Sequence, residues 1–216
     1  MANLLYKEFK LAVHPTTFIF LSFGMMLLIP SYPYYVAFIY TCLSIFFLFL
    51  SGRENKDVLY TVALPIRKRD VVKARVAAVA LIELAQILVA VPFAIVSVRI
   101  NPNGSNLAGI EANVAFFGFV FLMFALFNII FIPIFYKTAY RAGVAFLFAG
   151  VATALLVVAL ESLVWIPTPL RAYLDTTAAG MMVRQLPVLA GGIAVWVLTL
   201  LLAYRVAAGS FERVDV

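Results

Sequence analysis

Charged residues are scarce in this chain. Asp, Glu, Lys and Arg make up 12% of its 216 residues, against roughly 25% in a soluble domain. A chain so poor in charge and 65% apolar cannot present a water-compatible surface around a single core, so the composition excludes a soluble monomer. There is one cysteine, Cys42, and one histidine, His14. A lone cysteine rules out a disulfide within the chain and a zinc site built from thiolates alone. His14 precedes Pro15 at an expected membrane edge, where a polar cap is the better reading than a metal ligand without partners. No G-x-x-x-x-G-K-[ST] phosphate loop is present, nor an H-E-x-x-H helix or a G-x-S-x-G nucleophile turn. The chain is therefore not expected to be an enzyme or to bind a cofactor or metal of its own. The net charge of +6 does not point to nucleic acid, because the basic residues fall at the ends of apolar runs.

What is present is hydrocarbon-like sequence in long blocks. From Leu11 to Gly52 there is no Lys, Arg, Asp or Glu. That run is about twice the ~20 residues one helical span needs. Pro30-Ser31-Tyr32-Pro33 breaks it near the middle, giving span one at 16–29 and span two at 34–51. Further spans are expected at 76–98, 114–136, 142–165 and 188–208. The fold class expected is an all-α integral membrane protein of six transmembrane helices, forming a single domain over residues 1–216. Residues 166–187 are too polar to span and are expected to lie on or dip into the surface between spans five and six. At helical spacing Leu5, Phe9, Ala12 and Val13 share a face, with Lys7, Glu8 and Lys10 on the other side. That imperfect amphipathicity predicts an N-terminal helix in the headgroup layer.

Basic residues settle the expected orientation. Thirteen of the sixteen Lys and Arg fall on the side carrying both termini, and only Arg99, Arg171 and Arg184 fall on the other. Loops rich in Lys and Arg stay in the cytoplasm, so both termini are expected there. The densest cluster is the stretch from Arg53 to Arg75. Glu54, Asn55, Lys56 and Asp57 suit a helix start, where negative charge is favourable. Val58, Leu59, Val62 and Ala63 then recur on one narrow apolar face, until Pro65 stops the helix. A cytoplasmic helix of about three turns is predicted, followed by Arg67, Lys68, Arg69 and Asp70.

Inside the spans, Phe117, Phe121, Phe124, Asn128, Phe131 and Phe135 repeat at steps of three and four. They form one seam with a single polar residue in it, suited to subunit packing or to lining a translocation path. Ala145, Ala149 and Thr153, and likewise Gly150 and Ala154, recur at steps of four, a spacing that lets helices approach closely. Glu83 and Glu161 are the two intramembrane carboxylates. An ionisable group inside a span costs roughly 2.5–3.5 kcal/mol on insertion scales, so each should find a partner or water. For Glu83 the expected partner is a basic side chain, Arg75 or Lys73, reaching in from the inner loop. For Glu161, within about one turn of the outer interface, structural pairing is likewise the expected reading, with snorkelling to the interface as the alternative.

The run from Glu54 through Leu64-Pro65-Ile66-Arg67-Lys68-Arg69-Asp70-Val71-Val72-Lys73 resembles the inner loop of permease subunits of type 2 ATP-binding-cassette exporters. That group includes phenol-soluble modulin exporter permeases and related peptide, bacteriocin and antibiotic efflux permeases. The opening Leu4-Leu5-Tyr6-Lys7-Glu8-Phe9-Lys10 is similar to their start. The triplet Arg67-Lys68-Arg69 is denser in charge than that pattern. The resemblance implies a permease that pairs with a second, identical or homologous, permease and with two copies of a separate ATPase subunit, which would use ATP and Mg. It implies that the 54–64 helix is the coupling helix, with Glu54, Asn55, Lys56, Asp57, Tyr60, Thr61, Arg67, Lys68, Arg69 and Asp70 facing the ATPase, and that the cargo is an amphipathic peptide, a lipid or a hydrophobic drug. Two other classes stay open: a proton- or cation-coupled transporter or channel using Glu83 and Glu161, and a peptide-binding immunity or scaffold protein that transports nothing.

Overall fold

The computed structural model describes residues 2–55, 66–100, 106, 108–166 and 169–213. Two proline-marked breaks divide the N-terminal region. Helix α1 (Ala2–Lys7) runs on into a π-helical turn over Glu8–Ala12. Helix α2 (Thr16–Ser22) tightens into a 3₁₀ segment over Phe23–Leu28. The two meet at 91°. His14 and Pro15 make the corner: the imidazole Nδ1 accepts from Thr16 N at 3.3 Å and lies 2.8 Å from Thr16 Oγ1. His14 is thus the polar cap that its position suggested. The Thr16–Leu28 arm is only about 20 Å long at helical rises of ~1.5–2 Å per residue, less than the ~30 Å of a hydrocarbon core.

Five long helices follow or flank that arm: α3 (Tyr35–Glu54), α4 (Lys68–Ile100), α5 (Val114–Lys137), α6 (Ala142–Trp165) and, after the short α7 (Pro169–Leu174) and α8 (Ala179–Arg184), α9 (Leu186–Glu212). All five are long and apolar enough to cross a membrane, and the bent α1–α2 pair makes a sixth crossing if counted as one. The all-helical architecture is the one expected, with two adjusted boundaries. Helix α4 begins at Lys68, eight residues before the apolar span at 76–98. At ~1.5 Å per residue its 33 residues extend about 50 Å, so it projects well beyond the apolar layer. Its polar first turns are stabilised there by Arg69, which forms a bidentate pair with Glu212 at the end of α9 (2.6 and 2.9 Å). The segment 166–187 is two short helices rather than one amphipathic stretch.

Helix α5 sits at the centre. Its phenylalanines explain why: Phe116, Phe124, Phe127 and Phe131 are fully buried. They pack on Phe38 and Phe49 of α3 and Phe146 of α6 through edge-on ring contacts. The expected stripe Ala145–Ala149–Thr153 is buried, whereas a Cβ on Gly150 would meet open space and Ala154 is exposed. A close backbone approach is made elsewhere. Helix α9 packs along α5 more extensively than any other pair, with Gly118 against Gly192. A Cβ on Gly118 would lie 2.7 Å from the Val188 carbonyl, and one on Gly192 would collide with the Gly118 carbonyl. Without a hydrophobic drive between helices in lipid, such backbone proximity is a main source of attraction.

We therefore expect Gly192→Val to overpack the α5–α9 contact and lower the stability of the purified protein by about 1–3 kcal/mol. Gly150→Ala should be neutral or slightly stabilising. Thermal unfolding in one detergent compares the two, and equal effects would show that the Gly118–Gly192 contact contributes nothing.

Candidate functional site

Polar chemistry gathers at three levels along the bundle. The first is the end carrying both termini. Glu8 is fully buried, and so is Arg75 to within 4%. Arg75 Nε forms an ion pair with Glu8, and Lys7 Nζ lies 3.0 Å from the other Glu8 oxygen. The Arg75 guanidinium reaches the Leu48 carbonyl at 3.4 Å and lies 5.4 Å from the centre of the Phe49 ring. Gly52 leaves the space it fills, since a Cβ there would overlap the guanidinium. These contacts join α1, α3 and α4. Asn55 adds another, donating to the Leu11 carbonyl at 3.2 Å.

This arrangement changes two positions of the simple amphipathic reading, drawing Glu8 inward and leaving Phe9 exposed, while Leu5, Ala12 and Val13 pack against the core. Tyr6, Phe9 and Leu11 are exposed, while Glu8 and Ala12 face the protein. The wider π-helical turn at Glu8–Ala12 separates Phe9 from Ala12, which an ideal α-helix would place on one face. At a membrane surface that outcome is sensible: apolar side chains meet lipid and the carboxylate meets a cation.

The second level is the middle of the bundle. Glu83 is fully buried, and Asn128 Nδ2 and Trp196 Nε1 donate to its two oxygens at 2.8 and 2.7 Å. The expected basic partner is not the one found, because Arg75 is already engaged by Glu8. Two neutral N–H donors from α5 and α9 hold the carboxylate instead. Gln86, one turn further along α4, is also fully buried, and neither its amide nor Asn128 Oδ1 has a hydrogen-bond partner among the described residues. The seam residues surround this cluster: Phe117 and Phe121 lie toward the far end, Phe124, Phe131 and Phe135 in the core, and Phe121 packs edge-on against Trp196 at 5.3 Å.

The third level is the far end. Glu161 accepts from Ile110 N at 3.0 Å, so it clasps the loop at Ile110. Asn113 caps α5 through Phe116 N at 2.9 Å, and its amide also donates to the Leu174 and Thr176 carbonyls. Gln185 accepts from Ala115 N at 3.1 Å and donates to the Tyr173 carbonyl at 2.9 Å. Glu111 N donates to Asp175 at 3.1 Å, and burial together with the Asp175 charge pushes the Glu111 carboxyl above the usual carboxylate range.

Of the residues expected to meet an ATPase, Lys56, Asp57, Tyr60 and Thr61 lie outside the described residues. Glu54, Asn55, Arg67 and Arg69 are exposed at the terminus-bearing end, and Lys68 approaches the Phe211 ring at 6.0 Å. Glu8, Arg75 and Trp196 were not legible as partners in the sequence. The one signal available was Glu8 itself, an acidic residue between two lysines of the N-terminal helix. Among the described residues no cluster of His, Cys, Asp and Glu could hold a metal ion.

Two outcomes follow. Glu8→Gln should strand Arg75 and cost about 3–5 kcal/mol, while Glu8→Met with Arg75→Leu should cost much less, as removal of a whole buried pair usually does. Denaturation of the three proteins in one detergent decides this, and an additive double variant would contradict it. Asn128→Leu should cost about 1–3 kcal/mol by leaving a Glu83 oxygen unpaired, more than Phe119→Leu at a half-buried site off the seam. A stabilised Asn128→Leu protein would show that the bond to Glu83 is not what holds this level together.

A family model described as ABC-2 family transporter protein matches residues 3–204. No curated protein and no solved structure gives a significant match.

Proposed function

The chain belongs to the ABC-2 family of transporter proteins, and from that premise we propose that it is the permease half of an ATP-driven exporter whose ATPase subunits dock on the terminus-bearing end. It is a multi-pass integral membrane protein, in bacteria a protein of the plasma membrane. The observation that carries the docking proposal is the Glu8–Arg75 pair. Residues 56–65 leave from the end of α3 and return to the start of α4, and the pair ties both of those helices to α1. A force applied to that segment would thus reach three elements at once through a buried, charge-paired contact. Coupling needs such packed, discrete connections. The bidentate Arg69–Glu212 pair adds α9 to the same end.

In this reading the stretch expected as the 54–64 coupling helix, whose Glu54 ends α3 in the structure, meets the ATPase, two permeases assemble with two ATPase subunits, and both termini are cytoplasmic. The 13-to-3 division of Lys and Arg supports that orientation. The resemblance to phenol-soluble modulin and antibiotic efflux permeases makes an amphipathic peptide, a lipid or a hydrophobic drug the proposed cargo. The buried phenylalanine seam supports a packing role for Phe124 and Phe131 within one subunit, so a translocation path would be sought elsewhere.

The test is capture of an ATPase subunit with the tagged permease. Asp57→Lys combined with Tyr60→Ala should reduce both ATPase capture and cargo-stimulated hydrolysis by at least about tenfold, while the protein stays inserted. Capture and hydrolysis at wild-type levels would remove this segment from the coupling role. Transport by the purified chain driven by a proton gradient, with no ATPase subunit, would overturn the proposal in favour of a secondary transporter acting through Glu83.

A further inference from the structure

Helices α4, α5 and α9 enclose a groove of about 530 Å³ toward the far end of the bundle. That size lies within the ~300–1,000 Å³ of small-molecule sites. Its floor is Ile87 and Phe121, just beyond the Glu83–Asn128–Trp196 cluster, and its rim is Arg99. Three of its lining residues, Ile95, Val98 and Ile193, are exposed on the bundle surface. The groove is therefore open along its side, and the opening is apolar. A side opening of that kind faces hydrocarbon, not water.

Two features select the occupant. The first is length. From Ile87 to Arg99 is twelve residues, or about 18 Å of helix. That is a little more than one leaflet's share of a ~30 Å hydrocarbon core, so the groove runs from headgroup depth to near the midplane. The second is charge. Apart from Asn113, whose amide is committed to the Leu174 and Thr176 carbonyls, the lining is apolar except for Arg99. Arg99 is exposed at the end of α4, and among the described residues no acidic side chain is seen paired with it. A guanidinium in that position presents a planar fork suited to phosphate oxygens.

We infer that this groove holds one acyl chain of an anionic phospholipid from the leaflet at the far end of the bundle, with the lipid phosphate bound at Arg99. The chain tip rests on Phe121, whose ring packs on Trp196, and Trp196 in turn donates to Glu83. Lipid occupancy is in this way read by the indole that braces the buried carboxylate. The site is separate from the proposed ATPase contact, so its test does not depend on that reading.

The chain has two tryptophans, and Trp165 is exposed on α6. Trp165→Phe leaves Trp196 as the only indole. In detergent, phosphatidylglycerol brominated at the chain tip should quench Trp196 saturably. Half-saturation should come at about fivefold lower concentration than for phosphatidylcholine with the same chains, the effect of roughly one interfacial cation. Arg99→Gln should erase that preference and leave the quenching. Ala94→Phe should fill the groove and abolish the quenching, and Val98→Phe at the exposed mouth does the same where the buried change harms folding. Linear, non-saturating quenching would overturn the site, because it is what bulk detergent–lipid contact gives. Saturable quenching that is equal for both headgroups would overturn the assignment to an anionic lipid. Saturable quenching by a brominated amphipathic peptide that excludes the lipid would give the groove to cargo instead.

Discussion

A buried arginine cannot be left alone. Removing one charge from water costs several kcal/mol even after the protein relaxes, and truncating its partner is worse than removing both. Arg75 is buried to within 4%, so the position of Glu8 is not optional. That requirement brings the N-terminal helix onto the bundle, demands a glycine at position 52 and fixes the spacing of α3 and α4 where the 56–65 segment leaves and returns. The 91° corner at His14 and Pro15 follows, since the same chain must lie across the end of the bundle and then turn into it.

Above that end the bundle depends on contact, not charge. Helix α5 is buried along much of its length because its phenylalanines fill the space between α3 and α6, and because two glycines let α9 touch its backbone. Glu83 is tolerated in the middle because Asn128 and Trp196 arrive from two different helices with N–H groups aimed at its oxygens. The polar bonds therefore fix register where apolar packing alone would allow sliding, each level of the bundle using a different device.

Much of this was legible in the chain. The apolar runs, the prolines at 30 and 33 and the basic loops mark the helices by length and charge alone, physics that acts locally. The seam from Phe117 to Phe135 was readable for the same reason, since residues three and four apart share a helix face. What could not be read were meetings between distant residues. Nothing in the local sequence says that Glu8 meets Arg75, that Trp196 meets Glu83, or that Gly118 meets Gly192. The sequence suggested Arg75 for Glu83 because proximity along the chain was the available guide. It also set Glu8 apart from the face of Leu5 and Phe9, which changes where a π-helical turn and a buried cation draw Glu8 inward and leave Phe9 exposed. The early start of α4 was hidden because its first turns are charged, and their stabilisation comes from Glu212 at the other end of the chain.

The central claim is that the terminus-bearing end, held by Glu8 and Arg75, is where ATP-driven motion enters. Site-specific photocrosslinking in native membranes tests it most directly. A photoreactive residue at position 60 or 67 should crosslink to an ATPase subunit, and one at position 171 or 183 of the far end should not. Crosslinks from the far end, or none from positions 60 and 67 in a membrane that holds the assembled transporter, would contradict the account.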